Sequence, residues 1–257
     1  MKKLFLTLIS IVSVAIAVAQ KSDFSPVDYV NPLIGTQSTF DFSTGNTYPA
    51  IARPWGMNFW TPQTGKMGNG WTYSYTEKKI CGFKQTHQPS PWINDYGQFS
   101  IMPVVGAPEF DAEKRASWFG HKGEVVKAYY YKVYLAEYDV VTEFSPTDRA
   151  AIFRFTFPES KDSYIVVDAF DKGSYIKIDK ENNRLIGYST RNSGGVGENF
   201  RNYFIVEFDK PLEYVHTFAD GQLRNATEQQ SNHVGAVVGF RTKKGEQVHA
   251  RVASSFI

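Results

Sequence analysis

The sequence has 257 residues, 42% of them hydrophobic and 21% charged, with 28 Lys and Arg against 26 Asp and Glu. Those proportions describe a globular chain, and the near-neutral balance excludes the basic surface that nucleic acid or an anionic membrane demands. The unusual feature is the aromatic content: 20 Phe, 15 Tyr and 5 Trp.

In chain order, Lys2 and Lys3 precede an apolar run from Leu4 to Val18, and Ala17-Val18-Ala19 is a small-x-small site before Gln20. This is the pattern of a secretory signal over residues 1–19, cleaved between Ala19 and Gln20, so a periplasmic or secreted location is expected. The run is too short for a comfortable membrane span. Cys81 is the single cysteine. It can form no intrachain disulfide, and it reads as a small buried apolar residue rather than a nucleophile.

Residues 24–100 are rich in Gly, Pro, Asn, Thr and Trp and read as short strands joined by long ordered loops. From residue 98 onward the texture is that of strands. Phe153, Phe155 and Phe157 alternate with Arg154 and Thr156, and Phe204, Val206 and Phe208 alternate with Ile205 and Glu207. Such period-2 alternation sets one face on a core. Strands are predicted near 98–105, 125–135, 138–145, 150–157, 163–168, 174–179, 184–190, 202–208, 212–217, 234–241 and 247–257. Turns are predicted at Glu181–Arg184 and Lys243–Glu246, and one short helical turn within Pro108–Trp118. The fold class that follows is all-β: a large antiparallel β-sandwich with long ordered loops in the N-terminal third. Because the chain stops at Ile257 inside an apolar alternating strand, residues 20–257 are expected to be the first part of a longer polypeptide.

Several motifs fail. Gly194-Gly195-Val196-Gly197 lacks the dinucleotide spacing, and no phosphate-cradling loop, nucleophile elbow or H-E-x-x-H is present. Asp179-Lys180-Glu181-Asn182-Asn183 lacks the glycine and distal glutamate of a calcium loop and reads as a hairpin. His87, His121, His216, His233 and His249 are scattered without metal-ligand spacing. Against that background Trp55, Trp60, Trp71 and Trp92 fall close together amid Asn, Asp, His and Gly. Tryptophans on loops suit a protein that handles sugars, since an indole covers the apolar C–H face of a pyranose while short polar side chains meet its hydroxyls. The same tryptophans are equally suited to anchoring loops on a sandwich.

Val30-Asn31-Pro32-Leu33-Ile34-Gly35-Thr36, then Asn46-Thr47-Tyr48-Pro49-Ala50, Pro54-Trp55-Gly56-Met57, Thr61-Pro62, Gly70-Trp71, and Ile80-Cys81-Gly82-Phe83 running into Thr86-His87, together resemble the N-terminal domain of glycoside hydrolase family 92. The family comprises exo-acting α-mannosidases, many of them α-1,2-specific. Asn46 stands where many members have His, Ala50 where many have Gly, and Gln37–Thr44 is a longer loop than usual. The resemblance implies a two-domain enzyme in which this sandwich packs on a C-terminal helical domain absent from the chain. It implies hydrolysis with inversion by a protonated Glu and a water-activating Asp, both in the helical domain, together with calcium held mainly there. No residue of this chain is thereby implied as catalytic or as a metal ligand. By family position Trp60 and Trp71 are the expected mannose-pocket residues, followed by Gly45 and Asn46, with His87 and Asp95 as further polar contacts. The implied partners are mannose-containing glycans (N-glycan or mannan) and the helical domain. A stand-alone carbohydrate-binding sandwich and an outer-membrane barrel are the alternatives, the latter disfavoured by short strands bearing Arg, Lys and Glu on alternate faces.

Overall fold

The computed structural model describes residues 25–37, 47–65, 72–87 and 96–256. The signal segment 1–19 lies outside them. Residues up to Asn31 form a small unit of their own, whose described part is a 3-10 turn, Pro26–Tyr29. Proline at the start of that turn has no N–H to leave unpaired.

The second unit, Pro32–Ile257, holds the strands, every ladder antiparallel. One sheet has seven strands in the spatial order Phe59–Gln63, Gly82–Thr86, Ser100–Val105, Ser160–Asp168, Val234–Thr242, Tyr214–Ala219 and Gln222–Arg224. The other has nine: Glu228–Ser231, Ser174–Asp179, Arg184–Ser189, Asn202–Phe208, Glu246–Ser255, Ala150–Phe157, Val140–Pro146, Tyr130–Leu135 and Val125–Lys127. A two-stranded ribbon pairs Lys79–Ile80 with Ser117–Trp118. Both large sheets are open, so the architecture is the expected all-β sandwich and not a closed barrel.

The core between the sheets is aromatic. Phe83 of the seven-stranded sheet lies 5.9 Å from Phe144 and 6.4 Å from Phe153 of the nine-stranded sheet, and Phe99 stacks on Phe204 at 4.2 Å. Each such ring taken from water contributes about 1.5–3 kcal/mol. The alternation foreseen at Phe153, Phe155 and Phe157 is obeyed: these three are buried while Ile152 is exposed. Cys81 is buried too, and burial pushes its thiol up to about 11.

Two local readings need refinement. The single strand expected over 125–135 is a hairpin, Val125–Lys127 and Tyr130–Leu135, broken at Ala128-Tyr129. The polar edge strands Gln222–Arg224 and Glu228–Ser231 carry no apolar alternation that a sequence could show. The one short turn expected within 108–118 is present, closed by Arg115 N–H donating to Asp111 O at 2.9 Å. The two predicted hairpin turns are present, with Asn183 at φ 51° and Gly245 at φ 76° supplying the left-handed positions.

Ser100–Val105 and Val234–Thr242 of the seven-stranded sheet are buried on both faces, because residues 106–120 lie over the side away from the core, with Phe110 stacked on Phe218 at 4.7 Å. Directly paired residues share a face. The pairings Thr61–Lys84, Lys84–Ser100 and Ser100–Asp168 therefore lay a polar row across that covered side, all four residues buried. Arg115 reaches down from the covering segment and ties into it.

Candidate functional site

Three segments carry most of the residues expected to meet a sugar: 38–46 holds Gly45 and Asn46, 66–71 holds Trp71, and 88–95 holds Asp95. Gly45, Asn46, Trp71 and Asp95 lie outside the described residues. The structure does show how the roots of all three segments are held.

Each of the first two is closed at its base by backbone hydrogen bonds. Thr47 N–H donates to Gly35 O at 3.3 Å, and the Thr47 hydroxyl to Ile34 O at 3.0 Å. Thr64 N–H donates to Thr72 O at 2.8 Å, and Ser74 N–H to Thr64 Oγ1 at 2.9 Å. The roots are then sewn to each other. Tyr75 N–H donates to Thr36 O at 3.1 Å, joining the first to the second. The Tyr48 and Thr86 hydroxyls pair at 2.9 Å, joining the first to the third. Short Thr and Ser side chains serve here because a hydroxyl on the β-carbon bonds a neighbouring turn at little entropic cost.

The second root is braced from below by Glu124, whose side chain is 1% exposed. It accepts from Tyr131 Oη at 2.6 Å, from His121 Nδ1 at 2.7 Å and from Tyr73 Oη at 3.3 Å. His121 stacks on Tyr75 at 3.9 Å. Burial, reinforced by the Glu124 charge and hydrogen bond, raises both the Tyr73 and the Tyr131 phenols, so both remain donors. The third root is tied to the nine-stranded sheet. Gln85 Nε2 donates to Ser254 Oγ at 2.7 Å, and Asn202 Nδ2 donates to Gln85 Oε1 at 3.2 Å and also to Gly97 O. Gly97 sits at φ 61°, and a Cβ there would come within 2.2 Å of Asn202 Cβ, so the position requires glycine.

Of the described expected residues, His87 stands on the third root, partly buried, with its ring edge-on to Phe256 at 4.7 Å. Trp60 lies elsewhere: it is 0% exposed, 4.9 Å from Phe153, and its indole N–H is committed to Asn58 Oδ1 at 2.6 Å. As seated here it fills the core and turns no ring face outward.

Below the covered sheet face a charged layer fixes the scaffold. Arg115 donates through Nη2 to Asp168 Oδ2 at 3.1 Å, through Nε to Cys81 O at 2.8 Å and through Nη1 to Phe110 O at 2.6 Å. His233 Nε2 lies 2.8 Å from the other Asp168 oxygen. Burial alone would raise Asp168, but the Arg115 charge and the His233 hydrogen bond outweigh it and hold the carboxyl below its ordinary range. Neither Arg115 nor Glu124 was marked by the sequence, since each lies in a segment without periodicity.

Chemically, these roots position rather than react. Glu124 is saturated with donors and Asp168 is sealed against solvent. Among the described residues, no group of three or more His, Cys, Asp or Glu side chains is placed to hold a metal ion.

Known proteins resemble the chain closely. The model of the glycosyl hydrolase family 92 N-terminal domain matches residues 29–255. A solved inverting mannosidase of family GH92 from Bacteroides thetaiotaomicron is 47% identical, with a TM-score of 0.88 over 93% of this chain and 32% of that one. A family GH92 α-mannosidase from the same organism is 26% identical, with a TM-score of 0.75 over 90% of this chain and 33% of that one, and has also been solved with mannoimidazole. The chain thus spans about a third of the length of these solved structures. No curated protein matches it.

Proposed function

The chain belongs to glycoside hydrolase family 92, as its N-terminal domain, and from that membership we propose that it is the substrate-contacting part of an exported exo-α-mannosidase. The complete enzyme removes terminal α-linked mannose from mannose-containing glycans with inversion. The observation that carries this reading is the joining of three segment roots at hydrogen-bonding distance, since the same three segments hold Gly45, Asn46, Trp71 and Asp95. Binding groups on loops with fixed roots lose little entropy when a ligand arrives.

The proton transfers fall to a part of the polypeptide beyond this chain. Inversion uses a carboxylic acid that protonates the leaving oxygen and a carboxylate about 6.5–9.5 Å away that activates water on the opposite face. This chain contributes orientation: Trp71 covers the apolar sugar face, the Gly45-Asn46 pair offers N–H and amide groups to hydroxyls, and His87 and Asp95 complete the rim. Calcium belongs to the proposal for the complete enzyme as a cation that grips sugar hydroxyls. The described residues here do not fit such a site, so no step is derived through it.

The test is the anomer released by the full-length protein from an α-linked mannobiose, followed by proton NMR. Inversion delivers β-mannose first, with the α-anomer growing in only by mutarotation. Initial release of α-mannose, or no release of mannose, overturns the reading.

A further inference from the structure

Where the second segment root meets the third, four side chains are buried with polar atoms that have no partner among the described residues. Gln63 and Thr72 belong to the second root, Gln98 and Ser100 to the third, and all four are sealed from solvent. Gln63 Oε1, Thr72 Oγ1, Ser100 Oγ and both amide atoms of Gln98 make no hydrogen bond. A buried polar atom left unmatched bears the full cost of leaving water, and the large majority of such atoms in folded proteins are matched. Several of them at one junction point to a guest that bonds them.

Two of these atoms converge on a glycine. A Cβ built on Gly82 would lie 3.1 Å from Ser100 Oγ and 3.2 Å from Gln63 Oε1, so the two oxygens flank the notch that glycine leaves. The register brings this about: Gln63 pairs with Gly82, and Lys84, two residues on, pairs with Ser100, so all four face the covered side of the seven-stranded sheet. The Gln63 amide is fixed in place, because its Nε2 donates to Gly65 O at 3.1 Å. Gln63 Oε1 can only accept, whereas the Ser100 hydroxyl can donate or accept. A cation is disfavoured here by the buried Lys84 and by Arg115, which is bonded to the carbonyl of neighbouring Cys81. A sugar ring is too large for a notch the size of one side-chain carbon. Water is small and neutral, and it both donates and accepts.

We propose that a resident water sits over Gly82 and bridges Gln63 Oε1 to Ser100 Oγ, with further waters answering Thr72 and Gln98. Phe59–Gln63 is the strand that leads into the second root, and Ser100–Val105 is the strand that leaves the third. The roots of the segments bearing Trp71 and Asp95 are thereby tied through internal solvent as well as through backbone. The proposal stands on these atoms alone and does not depend on the mannosidase reading.

High-resolution crystallography of the full-length protein, with and without mannose, is the first arm of the test. The expected result in both crystals is a water oxygen about 2.7–3.2 Å from both Gln63 Oε1 and Ser100 Oγ. A direct bond between Gln63 and Ser100, density that appears only with mannose, or a cation at roughly 2.3–2.6 Å overturns the proposal. The second arm is denaturant unfolding of Ser100→Ala, Gly82→Ala and the double variant. In a dry notch, deleting an orphaned hydroxyl leaves the midpoint unchanged or raises it. With the water in place, Ser100→Ala lowers the midpoint, and Gly82→Ala lowers it by expelling the water. Adding Ser100→Ala to Gly82→Ala then costs nothing further, because the two act on one guest. A Ser100→Ala midpoint at or above that of the parent overturns the proposal, and this readout stands even if Gly82→Ala fails to fold. Failure of the hydrolytic reading shows as absence of mannose release and moves neither arm, so the two failures are separable.

Discussion

The seven-stranded and nine-stranded sheets meet across one aromatic core but differ on their outer faces. The nine-stranded sheet alternates, as in Ala150–Phe157, where Phe153 and Phe155 turn inward and Ile152 and Arg154 outward. The seven-stranded sheet is buried on both sides along Ser100–Val105 and Val234–Thr242, and its far side carries the polar row from Thr61 to Asp168. On the seven-stranded sheet both members of the charged pair are inside, whereas on the nine-stranded sheet Arg154 reaches solvent over the buried Glu143. The same kind of interaction, an Arg–carboxylate pair, has opposite energetic meaning in the two places. Arg115–Asp168 is sealed from water and Arg154–Glu143 is half open to it.

The sharpest way to break this contrast is to make one substitution on each sheet. Arg115→Met leaves Asp168 as an uncompensated buried charge and orphans the Cys81 and Phe110 carbonyls, with an expected loss of about 3–5 kcal/mol. Arg154→Met removes a bidentate pair at the surface, and the expected loss is below about 1 kcal/mol. Denaturant unfolding of the two variants measures both. Similar losses would mean that the covering segment does not seal the polar row.

Next in size is Trp60→Phe, which asks on which side of the core this residue's contribution lies. Phe keeps an aromatic ring against Phe99 and Phe153 but strands the Asn58 amide oxygen that accepted the indole N–H. The expected cost is about 1–2 kcal/mol of stability, with kcat/KM of the full-length enzyme unchanged once folded. A fall in kcat/KM at unchanged stability would instead place Trp60 against the sugar.

How much of this was legible in the sequence follows the same division. The nine-stranded sheet could be read nearly strand by strand, because water on one face enforces alternation and turns such as Lys243–Glu246 advertise themselves. The seven-stranded sheet could not be read as fully. Gly82–Thr86, wholly buried, includes Lys84 and Gln85, and no periodicity distinguishes it from the loops beside it. Its cover, residues 106–120, reveals itself only when Arg115 finds Asp168 in three dimensions. The site region behaved likewise. Aromatic and polar composition singled out the segments bearing Asn46, Trp71 and Asp95, while the residues that fix their roots, Glu124, Asn202 and Ser254, come from distant positions. Trp60 shows the limit of composition, since a core tryptophan and a sugar platform are spelled alike.

The smallest expected effect is one of pH, and it belongs to the covered face alone. His233 bonds Asp168 from the rim of the layer that Arg115 reaches from above. Burial works to lower the His233 pKa, but the Asp168 hydrogen bond and charge outweigh it, so the folded value is raised above the ordinary 6.5. A raised basic group stabilises fully below its unfolded value and loses that contribution as pH rises through the folded one. Asp168, depressed below its ordinary 3.8, does the converse: its contribution is present above that value and is lost as pH falls through the depressed one. Stability therefore declines on the alkaline side from His233 and on the acid side from Asp168. His233→Gln keeps a donor for Asp168 but cannot titrate. The variant should show a flatter unfolding midpoint than the parent from about pH 6.5 upward while following it on the acid side. An alkaline decline identical in the two proteins would assign that slope to groups outside the Arg115–Asp168–His233 layer.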